Sequence, residues 1–255
     1  MNIEMYVCTH KQFEYHLPRI YKRIQVGAKG KENLGYESDC IGDNISEKNA
    51  NYCELTGLYW MWKNSKADII GLSHYRRYFY KNWFQAIFNK PIGKYYITKQ
   101  LKKSDIIVPI VFRDKESVYD VYKRDHHISD LLITRQILED KYPEYIEIFD
   151  SYINQKETYL YNMFCAKKEL CNQYCEWLFD ILFELERRVD VSEYDKYNKR
   201  LFGFISERLF NVWIKKNRLV IKECNVYNTE SDSMFGQAVR QPIHLWIEKI
   251  KRKFC

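Results

Sequence analysis

Apolar residues fall along this chain in two rhythms. Short dense runs at residues 3–8, 68–72, 105–110 and 159–166 have the length and composition of buried strands, with Leu219–Val226 as a last one and Ile24–Gly27 as a shorter one. Between them the apolar positions recur every three or four residues. Tyr52, Leu55, Tyr59 and Trp62 form one such stripe, and Leu170, Tyr174, Trp177, Leu178, Ile181, Leu182 and Leu185 form the strongest. Leu201–Lys215, Val118–Tyr122, Ile128–Leu138 and Tyr142–Ile153 carry further helical patterns, the last with Pro143 in its first turn, where its missing N–H costs nothing. Asn44, followed three residues later by Glu47, has the form of a capped helix start leading into the aromatic stripe. Strands alternating with helices predict an α/β fold with a mostly parallel central sheet flanked by helices.

Three stretches do not fit either rhythm. Residues 12–43 are irregular and punctuated by Gly27, Gly30, Gly35 and Gly42. Residues 80–100 are aromatic and basic, as in a loop or an interfacial segment, and residues 190–199 are polar and tyrosine-rich. Beyond a domain predicted over 1–226, residues 227–255 divide into a polar linker and the stretch Ile243–Phe254. There Leu245, Trp246, Ile247 and Ile250 alternate with Lys249, Lys251, Arg252 and Lys253. That pattern suits a basic amphipathic helix on an anionic membrane face, or a terminal helix docked on the body.

Composition narrows the setting. A length of 255 residues suits one large domain or a core with a smaller lobe, and the 46% hydrophobic fraction argues against disorder. The net charge of +7 is compatible with phosphorylated ligands, nucleic acid or anionic lipid. The basic residues form no recognisable nucleic-acid motif, so no nucleic-acid partner is expected. Eight cysteines show neither a Cys-x-x-Cys pair nor a zinc spacing. With no charged leader ahead of an apolar stretch, a reducing, cytoplasmic setting is expected.

Candidate chemistry concentrates where the run at Asp68–Leu72 ends in Ser73-His74-Tyr75-Arg76-Arg77-Tyr78. Open α/β sheets bind ligands at the carboxyl ends of their strands, and paired guanidinium forks suit a diphosphate. Surface ion pairing is the bland alternative for the arginines. Thr9, His10 and Lys11 end the first strand in the same way. Asp43, Asn44 and Lys48 open a helix whose amino end favours anions, although a plain cap explains Asn44 equally well. Asn162, among apolar neighbours in a predicted strand, needs a partner for its amide, from backbone or from a sugar hydroxyl. His126-His127 after Asp125 reads as an acceptor or catalytic site, or as a structural loop; no third metal ligand stands at a recognisable spacing.

Five blocks carry a resemblance. Gly-Asp-Asn-Ile-Ser-Glu-Lys-Asn (42–49), Tyr-Cys-Glu-Leu-Thr-Gly-Leu-Tyr-Trp-Met-Trp-Lys-Asn (52–64), His-Tyr-Arg-Arg-Tyr-Phe (74–79), Tyr-Asn-Met-Phe (161–164) and Phe-Gly-Phe-Ile-Ser-Glu-Arg-Leu (202–209) resemble the hallmark blocks of a bacterial family. It is a capsular and exopolysaccharide glycosyltransferase family long catalogued as a domain of unknown function, and some members are galactofuranosyltransferases. The resemblance implies a GT-A-like, Rossmann-type nucleotide-sugar fold. It also implies transfer of galactofuranose or galactose from a UDP-sugar to a lipid-linked saccharide at the inner face of the cell membrane.

Within that frame Thr9, His10, Lys11, Asp43, Asn44, Lys48, His74, Tyr75 and Asn162 are expected on the donor, and His126, His127 and Arg208 on the acceptor. Most GT-A enzymes hold a divalent metal with an Asp-x-Asp motif, which is absent at Ser73–Arg77. Arg76 and Arg77 are therefore expected to stabilise the leaving diphosphate, with no metal or other cofactor required. Inverting displacement needs a base for the acceptor hydroxyl. Glu207 is the choice and Asp195 and Asp125 are its rivals; the alternative for Glu207 is simple pairing with arginine. A non-catalytic nucleotide- or membrane-binding component of a polysaccharide assembly complex is the competing reading.

Overall fold

The structure, a computed structural model, describes residues 1–230; the polar and basic amphipathic stretches expected over residues 231–255 lie outside them. The first strand, β1 (Ile3–Thr9), is buried along its whole length, as its unbroken apolar run requires. It is flanked by β2 (Tyr21–Gln25) and β4 (Ile69–His74), both parallel to it, and β2 by the short β3 (Glu37–Ser38). β2 thus starts earlier than the Ile24–Gly27 strand expected from sequence.

β5 (Arg77–Tyr80) turns back from β4 after a single pair, His74 opposite Arg77. The rest of the sheet is β6 (Ile106–Pro109), β9 (Phe164–Lys167) and β10 (Ile221–Asn228). β9 runs antiparallel between β4 and β6, while β10 joins β6 in parallel and β5 in antiparallel. Parallel pairing is therefore confined to the β3-β2-β1-β4 half and the β6–β10 pair, and the "mostly parallel" expectation holds only for the first half. β7 (Phe112–Arg113) and β8 (Glu157–Thr158) form a separate small ladder.

One face of the sheet is thickly covered. The helix expected to start at Asn44 is broken into a 3-10 turn at Ser46–Lys48, α1 (Asn49–Tyr52) and α2 (Leu55–Asn64). Ile45, not Asn44, occupies the cap position; the Asn44 side chain instead accepts from the Ser46 N–H and donates to the Gly42 carbonyl. α2 lies close on β1, because a Cβ at Gly57 would come within 2.6 Å of Cys8 Sγ.

α8 (Lys168–Arg188) buries Cys171, Tyr174, Cys175, Leu178, Ile181, Leu182 and Leu185 at helical spacing. Each fully buried leucine there contributes about 1.5–3 kcal/mol. Glu169 in its first turn and Arg187 and Arg188 in its last complement the helix dipole. α9 (Leu201–Lys216), with α5 (Val118–Asp125), α6 (Ile128–Lys141) and α7 (Ile146–Ile153), completes this layer.

The other face is thinly covered. Residues 80–100, expected as a loop or interfacial segment, complete β5 and then form two short helices, α3 (Trp83–Ile87) and α4 (Lys94–Gln100). Their Ala86, Ile92, Ile97 and Leu101 pack on Met5, Val7 and Ile107.

The strand centre itself is tight. A Cβ on Gly71 of β4 would lie 2.4 Å from Met5 Sδ and 2.8 Å from the Phe164 carbonyl oxygen. Gly71→Ala is expected to destabilise the fold by about 1–3 kcal/mol, the usual cost of overpacking. Urea denaturation checks this, and an unchanged midpoint at unchanged m-value contradicts it.

Candidate functional site

The chain leaves β1 on one side for β2 and β3, then returns on the other side of β1 as β4. The carboxyl ends of β1 and β4 therefore flank a topological switch point, where open sheets form a ligand crevice. Cys8 pairs with His74 there, so Thr9, His10 and Lys11 emerge beside Tyr75 and Arg76. The Tyr75 ring is the centre of this group. His10 meets it edge-on at 5.4 Å, and Lys11 Nζ and the Arg76 guanidinium lie 4.7 Å and 5.6 Å from its centroid. Burial lowers the pKa of His10, and the neighbouring Lys11, Lys31 and Arg76 charges lower it further. Thr9 is buried, its hydroxyl donating to the Lys11 carbonyl and accepting from the Lys11 N–H. Glu230, just past β10, reaches back to this group, 2.9 Å from Lys11 and 3.6 Å from Arg76.

A second group adjoins it through His74 and Arg77. His74 Nε2 lies 2.7 Å from the Tyr161 carbonyl oxygen, and the Arg77 guanidinium stands 4.6 Å over the Tyr161 ring. Tyr161 and Asn162 form a turn rather than the middle of a strand, with φ of +78° and +51°; the expected strand at 159–166 begins only at Phe164. That turn brackets two carboxylates. The Tyr161 N–H donates to Glu207 Oε1 at 2.8 Å, and Asn162 Nδ2 donates to Glu54 Oε1 at 2.7 Å. The Asn162 amide is 4% exposed, gives its second N–H to the Gly203 carbonyl and accepts from Ser206. Both amide hydrogens of Asn162 are thus taken by protein groups.

Electrostatics follow from this crowding. Burial pushes the Glu207 carboxyl up, and the Glu54 charge adds to the push; Arg208, the Tyr161 N–H and Arg77 oppose it. Burial lowers the pKa of His74, with the nearby Glu54 charge opposing and Arg77 and Arg76 reinforcing. Three of the five non-glycine residues with positive φ among the described residues, Cys53, Tyr161 and Asn162, sit here. Each such conformation costs on the order of 1–3 kcal/mol and persists only where surrounding contacts hold it. Cys53 breaks the helix and so presents Glu54 at the start of α2; Arg200 donates to its sulfur at 3.2 Å.

A third group lies along α9. His126 stacks on Phe204 at 4.1 Å, and His127 on Tyr194 at 4.1 Å. Burial, with the Arg208 charge, holds the His126 pKa down to about 4. Arg208 pairs with Glu207 at 3.2 Å and lies 5.1 Å from the Tyr122 ring centroid, so of the expected acceptor residues Arg208 adjoins the expected base.

Asp43, Asn44 and Lys48 are not brought to this cluster. Asp43 accepts from Tyr59, and Lys48 pairs with Glu186 of α8 at 2.7 Å. Glu54, Cys53 and Tyr161 are the residues sequence reasoning missed. The one available signal was an acidic residue set between Tyr52 and Leu55 in an otherwise apolar aromatic stripe.

Among the described residues no three His, Cys, Asp or Glu side chains gather into a group that would hold a metal ion. The two cleft carboxylates accept hydrogen bonds from the Tyr161 N–H, Arg208 and Asn162.

Comparison with known proteins adds two findings. The model of the family described as domain of unknown function DUF4422 matches residues 4–218. The chain is also similar to a solved apo structure of the WbbM bifunctional glycosyltransferase, at 32% identity with a TM-score of 0.83 over 91% of this chain. It spans 46% of the length of that protein. No curated protein matches.

Proposed function

The chain belongs to the DUF4422 family, and from that membership and the cleft at the β1/β4 switch point we propose that it is a GT-A-like glycosyltransferase. The likeness to WbbM supports the reaction class. The observation that carries the reading is one arrangement: a cationic group on Tyr75 stands next to a half-buried, bracketed carboxylate pair.

In the proposed reaction a UDP-sugar, with galactofuranose or galactose as the sugar, lies with its diphosphate against Arg76, Arg77 and Lys11. Glu207 takes the proton of an acceptor hydroxyl. That oxygen attacks the anomeric carbon from the opposite side, and the carbon–oxygen bond to the diphosphate breaks. UDP leaves with the electron pair, and the guanidinium charges stabilise it. The anomeric configuration inverts. His126, His127 and Arg208 line the acceptor side, and the acceptor is a lipid-linked saccharide of surface polysaccharide synthesis at the inner membrane face. The arginines replace the divalent ion, so turnover proceeds without a metal.

Thermal-shift measurements with UDP and UDP-sugars, followed by UDP release with and without EDTA, test this. The expected result is stabilisation by a UDP-sugar and release that survives the chelator. Absence of stabilisation by any nucleotide sugar overturns the transferase reading, and strict dependence on manganese or magnesium overturns the arginine role.

A further inference from the structure

The thin face of the sheet carries a surface that the cleft chemistry does not use. Residues 81–103 contain six lysines, at 81, 90, 94, 99, 102 and 103, and no aspartate or glutamate. None of the six forms an ion pair among the described residues, although Lys94 donates to the Met1 carbonyl at 3.0 Å. Phe84, Phe88 and Tyr95 are 55%, 66% and 80% exposed. The inward positions of the same segment, Ala86, Ile92, Ile97 and Leu101, already fill the core beneath, so the outward rings are surplus to packing. Phe84 and Phe88 stand four residues apart across α3, and Trp83 stacks on Phe84 at 3.6 Å. Single exposed apolar residues are ordinary, but an aromatic group among uncompensated lysines matches the headgroup zone of an anionic bilayer.

We infer that α3, α4 and the turn between them dock this protein on an anionic lipid surface. The rings enter the interface and the lysines meet the lipid phosphates. Charge decides the occupant. The chain's own residues 240–253 carry Arg240, Lys249, Lys251, Arg252 and Lys253 against Glu248 alone, and like charge makes them a poor cover for this patch. The surface is also tied to the cleft. Residues 10–15 run from His10, on Tyr75, to Tyr15, whose hydroxyl donates to Asn89 at 2.9 Å and lies 2.6 Å from the Tyr80 hydroxyl. Docking there would hold the cleft near a lipid-borne acceptor. The inference rests on the proposed function only for that acceptor, and docking is measured without turnover.

The experiment is co-sedimentation of the full chain with phosphatidylcholine vesicles and with phosphatidylcholine–phosphatidylglycerol vesicles. Three proteins are compared: the unaltered chain, F84S/F88S, and a variant with Lys249, Lys251, Arg252 and Lys253 changed to Gln. The expected result is salt-sensitive binding to the anionic vesicles only, reduced about tenfold or more in F84S/F88S. Because both phenylalanines are exposed, far-UV circular dichroism should be unchanged. Three results overturn the inference: no binding by the unaltered chain; loss confined to the 249–253 variant; or an oligomer that F84S/F88S dissociates without any lipid binding. Vesicle binding without UDP release leaves docking standing and removes the transferase reading instead.

Discussion

Glu207→Gln is expected to lower turnover by about a hundredfold to ten-thousandfold, the range for losing a positioned general base. Glutamine is the informative replacement because its carbonyl oxygen can still accept from the Tyr161 N–H, which now donates to Glu207 Oε1 at 2.8 Å. The turn keeps its bond to residue 207, while the proton acceptor and the charge that pairs with Arg208 are lost. The direction of the pKa shift adds a second readout. Burial raises the Glu207 carboxyl. The active form is the ionised one, so kcat/KM should fall as pH drops through this raised value, higher than for an ordinary carboxylate near 4.3. In Glu207→Gln that acid limb should disappear together with the rate. UDP release measured across pH on protein with an unaltered melting profile checks both. Near-normal turnover in the folded variant sinks the assignment, and an equal loss in Glu54→Gln alone would move the base to the other bracketed carboxylate.

Arg77→Ala should cost about a hundredfold to a thousandfold in kcat, the magnitude for removing one charge-stabilising donor from a reacting centre. Arg77 differs from Arg76 in its surroundings. It opens β5, pairs with His74 across the only rung between β4 and β5, and holds its guanidinium over the Tyr161 ring. Its charge acts on both His74 and Glu207. Arg76 shares Glu230 with Lys11. Loss at Arg77 should therefore appear in kcat, and loss at Arg76 chiefly in KM. Lysine at 77 should restore only part of the rate, because an ammonium lacks the planar fork that spans two phosphate oxygens. Steady-state kinetics on the three variants decide it; an unchanged kcat in Arg77→Ala removes the role.

What the sequence made legible follows from locality. β1, β4 and β6 are dense apolar runs, and α8 and α9 keep one periodic stripe, so pattern alone finds them. The cationic group was equally visible, because its residues directly follow two strands that pair in register. The errors arose where a distant contact overrides the local pattern. Asn162 lies in apolar sequence that imitates a strand, yet Glu54, Gly203 and Ser206 hold it in a left-handed turn. The break at Cys53 interrupts a stripe that is continuous in sequence, and Arg200 closes on it from a residue far along the chain. Lys48, expected at the donor on the strength of its helix start, pairs with Glu186 from a distant helix. Antiparallel pairing of β9 and β5 rests on contacts between distant segments and has no signature in either strand alone.

The rung between His74 and Arg77 has a thermodynamic consequence. It joins the parallel half of the sheet to the half built from β5, β10, β6 and β9, with β9 as the other bridge. A ligand lying from Thr9 to Arg77 would span that seam. Any molecule that binds only the closed arrangement stabilises it by mass action, about 2.7 kcal/mol at a hundredfold excess over its Kd. Occupancy and the joining of the two halves are then linked equilibria: whatever loosens the seam weakens binding, and whatever fills the cleft tightens the sheet.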